Sequence, residues 1–304
     1  MNLKIMRDKK VIFIIGPTAI GKTSLSIKIA KELSTEIISC DSRQFYKELQ
    51  IGTAPPNKEE LAKIQHHFIH HLSVKDKYNA GQFEIDAIKL INKLHKKLDT
   101  IIIVGGSGLY VDAICKGFDE LPAIPLKTRL ILNSKYQEKG LAWLQKKIKK
   151  IDSEFYKSCD KNNSQRLLRA LEIYTETGKK ISSYKSNKKK KRKFNIVKIG
   201  LNSNREDLYK RINKRVDTMI ENGLIEEVNS LTKYQKNNAL QTVGYKEIFA
   251  FINNKCTLEE AIENIKRNTR RFAKRQLTWF KKDKQIEWFE PNQINEIKIF
   301  ISKL

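Results

Sequence analysis

An α/β fold, a parallel sheet flanked by helices with an all-helical insertion, is predicted by three observations. The apolar run 11–15 feeds a glycine-bounded turn, Gly16-Pro17-Thr18-Ala19-Ile20-Gly21-Lys22-Thr23, and then a segment of helical spacing over 24–30. Apolar runs of strand length recur at 36–40, 100–104 and 195–201, separated by helix-period segments, as βαβ units require. Between 117 and 193 no strand pattern occurs, only amphipathic helices after a proline-punctuated link. The expected layout is a P-loop NTPase-like core in two parts, 1–116 and 194–304, around a helical insertion at 117–193.

The first strand–turn–helix has the chemistry of a phosphate cradle. Glycines let consecutive backbone N–H groups converge on one anion, and the helix N-terminus adds partial positive charge. Lys22 would reach a terminal phosphate as a point charge, and the Thr23 hydroxyl would ligate Mg²⁺. The strand at 36–40 stops at Asp41, which puts a carboxylate at the sheet edge where ligands bind; it serves as a general base or caps a helix suggested by 42–49.

Next comes His66-His67-Phe68-Ile69-His70-His71, whose i,i+4 pairs would face one way on a helix. No glutamate sits within the pattern, so hydrogen-bonded or surface histidines are expected ahead of a metal site. A helix follows over 80–98. The strand at 100–104 ends in Gly105-Gly106-Ser107-Gly108 and lacks a Walker B carboxylate, which disfavours plain ATP hydrolysis. The Ser107 hydroxyl would suit transfer from a bound phosphate ester, the alternative being a simple glycine turn into the next helix.

In the insertion, helices are expected over 126–139, 141–149 and 164–176, with Arg166 and Arg169 on one face; the basic run 188–193 is a solvated loop or a nucleic-acid contact. A long helix over 205–231 carries Arg211 and Arg215 four apart, as clamps for departing phosphate charge or as surface partners of Glu206 and Asp207. The helix over 258–282 interleaves basic residues with Phe272, Trp279 and Phe280, a pattern that permits phosphate contact and base stacking together.

The 304 residues carry 60 Lys and Arg against 34 Asp and Glu, a net +26 that attracts polyanions, nucleic acid being the natural candidate beside a merely lysine-rich composition. No apolar run approaches the roughly 18 residues of a membrane span, and 1–10 lack the apolar stretch of a secretory signal. The four scattered cysteines suggest neither zinc nor disulfides. A cytoplasmic setting away from membranes is expected.

The motifs in order resemble the tRNA dimethylallyltransferases, also called isopentenyl-diphosphate:tRNA transferases. The resemblance is carried by GPTAIGKT at 16–23, DSRQFY at 41–46, IGTAPP at 51–56, VGGSGLY at 104–110, QRLLRALEI at 165–173, RINKRVDTM at 211–219, VGYKE at 243–247 and AKRQLTWF at 273–280. It implies transfer of a five-carbon prenyl group from dimethylallyl diphosphate to the exocyclic amino group of the adenine 3′ of the anticodon. Diphosphate is released, Mg²⁺ assists, and the base is flipped from the anticodon stem-loop into the core. By the same resemblance the loop Gly16 to Thr23, with Arg211, would hold the diphosphate. Asp41 would be the base, and Ser107, where the family usually has threonine, and Arg215 would meet the leaving group.

Matching tRNA-contact stretches are Asp41, Ser42, Arg43 and Gln44; Ser107; Arg129; Gln165, Arg166, Leu167, Leu168 and Arg169; Val243, Gly244, Tyr245 and Lys246; and Lys274, Arg275, Gln276, Leu277, Thr278, Trp279, Phe280 and Lys281. His70 replaces a common aspartate, and Pro125-Leu126 departs from the Asp-Pro that often precedes Arg129. A monomer is expected. The competing readings are a P-loop small-molecule kinase that binds ATP, a non-catalytic RNA-binding module, and a prenyl transferase acting on free adenosine phosphates.

Overall fold

The computed structural model describes residues 8–186 and 189–304, which form two compact units, one running to Lys116 and resuming at Lys191, the other Gly117–Lys190. The first begins with β1 (Lys10–Ile15), buried from Val11 onward, and α1 (Lys22–Glu32). Then come β2 (Ile37–Ser39), α2 (Lys58–Lys63), β3 (His66–His67), α3 (Ala80–Leu94), β4 (Thr100–Gly105) and α4 (Gly108–Cys115). The second unit consists of α5 (Leu126–Ile151), α6 (Ser153–Ser158) and α7 (Ser164–Thr177), with a 3₁₀ turn at Ile181–Tyr184. The chain returns to the first unit as β5 (Asn195–Leu201), α8 (Arg205–Glu221), α9 (Leu224–Ser230), α10 (Tyr245–Ile252), α11 (Leu258–Phe280), β6 (Ile286–Phe289) and α12 (Ile294–Ser302).

The strands pair in the order β3-β2-β4-β1-β5-β6, every pairing parallel. With helices covering both faces, β1, β2 and β4 read as near-continuous apolar runs, while β5 carries the buried Lys198, whose Nζ pairs with Asp283 at 2.6 Å. Ile12 and Ile14 of β1 pack in one buried cluster with Leu25 and Ile29 of α1, Leu208 and Ile212 of α8, and Ala273 of α11. Ile15 stands opposite both Gly105 and Gly200, so the turns after β1 and β4 leave the sheet side by side at its carboxyl edge. The second unit has its own core, built on Leu144, Ile148, Phe155, Leu167, Leu168 and Ile173. Among the described residues no helix is long and apolar enough to cross a membrane.

Several elements differ from the sequence expectation for physical reasons. No helix forms over 42–49: Lys47 N–H donates to Leu72 O (2.8 Å) and Leu72 N–H to Phe45 O (2.9 Å), which pulls this stretch into a bridge with a distant loop. The helix expected over 205–231 breaks at Gly223, held at φ 91° between α8 and α9. The histidine run is no helix either. His66 and His67 form the edge strand, His67 Nε2 lies 2.6 Å from Glu36 Oε2, and His71 packs edge-on against Phe45. No group of three metal-ligating side chains occurs among the described residues. Part of the basic run 188–193 lies outside the described residues. Of the rest, Arg192 belongs to the first unit and is neither solvated nor open to nucleic acid: its guanidinium pairs with Glu84 at 3.0 Å and donates to the α4 carbonyls Ala113 O (2.8 Å) and Ile114 O (2.7 Å).

Candidate active site

The phosphate loop joins β1 to α1. Gly16 has φ 147°, and a Cβ there would lie 2.6 Å from Leu201 O of the neighbouring strand, so no side chain fits. Gly21, at φ 103°, caps α1, whose first turn holds no acidic residue to occupy its free N–H groups. Lys22 folds back so that Nζ donates to Pro17 O at 2.7 Å. Burial pulls its pKa down to about 8 against the opposing field of Asp41. The Thr23 hydroxyl has no hydrogen-bond partner among the described residues.

Three cavities meet around this loop. One of about 210 Å³ is lined by the loop itself with Asp41, Gln44, Glu60, His66 and Arg215. A second, of about 700 Å³, lies between the Gly106-Ser107-Gly108 turn, the Val243-Gly244 turn and α11, whose Phe272, Arg275 and Trp279 line it. Both include Thr18, Asp41, Thr53, Ala54, Arg215 and Gln276, which therefore form the waist between them. A third, of about 870 Å³, opens beside Arg211, Lys214, Arg215 and Met219.

Asp41 sits at the waist as the strand-edge expectation requires, and its carboxylate accepts Arg43 N–H (3.0 Å). This is a local Asx turn and not a helix cap. Ser107 Oγ accepts Ser42 N–H at 3.3 Å and lies 3.3 Å from Ser42 Oγ, tying the β4 turn to the residue after Asp41. Arg215 reaches the waist from α8. It makes no hydrogen bond or ion pair among the described residues, and burial lowers its pKa while Asp41 opposes that shift. Arg211, one turn earlier, donates to Ile20 O of the loop (3.3 Å).

The residues matched to tRNA contact divide by exposure. Lys246, Lys274, Arg275, Thr278, Trp279 and Lys281 are exposed in the first unit, Gln165 and Arg166 in the second. Leu167, Leu168, Tyr245 and Phe280, matched by resemblance to the same contact, are buried, because helical spacing turns each into a core. Gln276 is also buried, joining Thr18 and Gly106. Arg43 is spent on the carbonyls of Asn238 (2.7 Å) and Ala239 (3.2 Å), and Gln44 donates to Ala54 O (3.1 Å). In the second unit Arg129 and Arg169 share Glu172 at 3.5 and 3.3 Å. Sequence reasoning missed Glu227, whose carboxylate accepts the N–H groups of Gln50 (2.8 Å), Ile51 (2.7 Å) and Gly52 (3.1 Å) and the Tyr245 hydroxyl (2.5 Å). It holds the loop that carries Thr53 and Ala54 to the waist. Its partners lie too far away in sequence to be read.

Fold and site define a P-loop α/β enzyme equipped for group transfer, with a carboxylate at the waist and no acid closing β4. The chain belongs to the IPP transferase family, whose sequence profile matches residues 44–283. It is 56% identical over 280 residues to a tRNA dimethylallyltransferase of Christiangramia forsetii, covering 92% of this chain and 93% of the relative. Identity is 50% over 290 residues to tRNA dimethylallyltransferase 2 of Azobacteroides pseudotrichonymphae, covering 95% and 94%. Among solved structures, the tRNA isopentenylpyrophosphate transferase of Bacillus halodurans matches with TM-score 0.72 at 37% identity, covering 97% of this chain and 96% of that one. A eukaryotic dimethylallyltransferase acting on tRNA matches with TM-score 0.81 at 29% identity, covering 97% and 77%.

Proposed function

We propose that the protein transfers the dimethylallyl group of dimethylallyl diphosphate to the exocyclic amino group of the adenine 3′ of the anticodon in tRNA, releasing diphosphate. The observation that carries this is the position of Asp41 and Arg215 at the waist between a phosphate cavity and a larger cavity lined by Arg275 and Trp279.

The adenine amino group is a poor nucleophile because its lone pair is delocalised into the ring, so attack on the allylic carbon needs proton removal and relief of leaving-group charge. The base, drawn from the anticodon loop, occupies the larger cavity. The donor's diphosphate lies in the loop Gly16 to Thr23, close to Arg211. As the N–C bond forms and the C–O bond breaks, Asp41 accepts the amino proton. Lys22 and Arg215 neutralise the departing diphosphate, and the Ser107 hydroxyl donates to its freed oxygen. No water has to be activated, in keeping with the glycine turn that ends β4.

Hard oxygen donors, the Thr23 hydroxyl with Asp41 and Glu60 nearby, line the smaller cavity and fit Mg²⁺, which keeps several waters and shares phosphate oxygens. Thr23 would hold it, and the ion would supply further charge neutralisation on the diphosphate. Every residue given a role in the transfer comes from one unit of one chain, which supports action as a monomer, in the cytoplasm where tRNA is found. Incubation with labelled dimethylallyl diphosphate, Mg²⁺ and tRNA, followed by nucleoside analysis, should place label on adenine; unlabelled adenine would sink the reading.

A further inference from the structure

Along the last turns of α11 the polar side chains Arg271, Lys274, Arg275, Thr278 and Lys281 face solvent, and Gln276 alone turns inward, 6% exposed. Both ends of its amide are engaged across long sequence separations. Oε1 accepts Thr18 N–H of the phosphate loop at 2.8 Å, and Nε2 donates to Gly106 O of the β4 turn at 2.9 Å. The orientation is unique, because a flipped amide would set donor against donor and oxygen against oxygen. Gly106 is part of the same fit, since a Cβ there would lie 2.2 Å from Nε2. One buried side chain therefore ties together the loop proposed to hold the diphosphate, the turn that presents Ser107, and the helix that carries Arg275 and Trp279.

We propose that Gln276 is a positioning residue, not an RNA contact: it sets the separation between the phosphate loop and the Ser107 turn, and locks both to the helix that meets the acceptor. This rests on the transfer reading above. Misplacing reacting groups by about 1 Å can cost on the order of a hundredfold in rate. Gln276→Ala should therefore lower kcat by about that factor while KM for donor and for an anticodon stem-loop stays within about threefold.

Gln276→Glu gives a sharper readout. A protonated carboxyl reproduces both bonds, accepting from Thr18 N–H and donating to Gly106 O; the ionised form points a charged oxygen at the Gly106 carbonyl. The ratio of Gln276→Glu to wild-type kcat should rise towards acid pH. Taking the ratio isolates the pH dependence that the substitution introduces, because Lys22, Asp41, Glu60, His66, Arg215 and Arg275 line the same cavities in both proteins.

Amide hydrogen exchange on the same variants, free of substrates, tests the tie without activity. In Gln276→Ala the Thr18 amide should exchange at least about tenfold faster while that of Ile12 in β1 is unchanged. If that variant does not fold, Gln276→Glu supplies the comparison, each Thr18 rate being divided by the wild-type rate at the same pH: the quotient should stay near one at acid pH and rise towards neutrality, as repulsion from Gly106 O drives the ionised carboxylate out of its place between the two turns. Unchanged Thr18 exchange, a pH-independent ratio, or a loss confined to KM would overturn the assignment. A wild-type protein that transfers nothing to the stem-loop would sink the transfer reading and with it the catalytic role, whereas a working wild type with an equally fast Gln276→Ala would sink the Gln276 role alone.

Discussion

Two groups of cationic side chains in this protein meet opposite fates. Arg192 is sealed against Glu84 and two helix carbonyls, and Arg129 and Arg169 share Glu172 within the helical unit. Arg215 is desolvated at the waist with no hydrogen-bond or ion-pair partner among the described residues, and Lys22 beside it has its pKa pulled down to about 8 by burial. A cation held by a buried carboxylate is part of the scaffold. One held in a cavity without such a partner costs stability in the free protein and is relieved when an anion arrives. The contrast separates structural from functional charge in a chain whose net charge of +26 obscures the distinction.

The largest effect should come from the carboxylate at the waist. Asp41→Asn keeps an oxygen for the Arg43 N–H but removes the base, and should lower single-turnover transfer by about 10²–10⁴-fold with tRNA affinity within a few-fold. Transfer at the wild-type rate would remove Asp41 as the base. The two arginine classes then separate cleanly. Arg192→Ala removes a buried guanidinium from Glu84 and from the carbonyls of Ala113 and Ile114, and should destabilise the fold by about 3 kcal/mol or more in denaturant titration. Arg215→Gln should leave the unfolding midpoint unchanged or raised while cutting kcat by about 10²–10³-fold. A marked loss of stability in Arg215→Gln would merge the two classes.

Lys22 provides a pH test of the same idea. With a pKa near 8 Lys22 is mostly charged at neutral pH and loses its charge above, so affinity for the donor diphosphate should fall as pH rises from 7 to 9.5. Binding above pH 8 should take up a proton, which calorimetry in buffers of different ionisation enthalpy detects. Lys22→Arg, charged throughout, should flatten the fall; an equally steep one would locate the titration elsewhere.

How much of this was legible in the sequence follows from the range of the forces involved. The strand–loop–helix over 10–32 and β5 rest on local periodicity and glycine chemistry, and both could be read directly. The turn at 42–49 could not, because its shape is imposed by Leu72, nor could β6, whose four residues show no alternation long enough to stand out. Gln276 lies between. It shares the inward stripe of Ala273 and Phe280 at helical spacing, a signal available in the sequence but hidden among the basic residues around it. That the stripe leads to Thr18 and Gly106 depends on contacts 170 or more residues apart.

The smallest effect tests whether exposed charge in the two units does the same work. Arg275 is exposed, lines the larger cavity, and is held over the Phe272 ring at 5.8 Å, ready to meet a phosphate. Arg129 is also exposed but its guanidinium is already shared with Glu172. Each phosphate neutralised contributes about 0.7–0.9 to the fall of log affinity with log salt. Arg275→Ala should therefore flatten the salt dependence of tRNA binding by close to one such step, whereas Arg129→Ala, which leaves Glu172 to Arg169, should change it by less than half as much. Equal slopes for the two variants would mean that the Glu172 pair opens on binding, and that the division between structural and functional arginines holds only in the first unit.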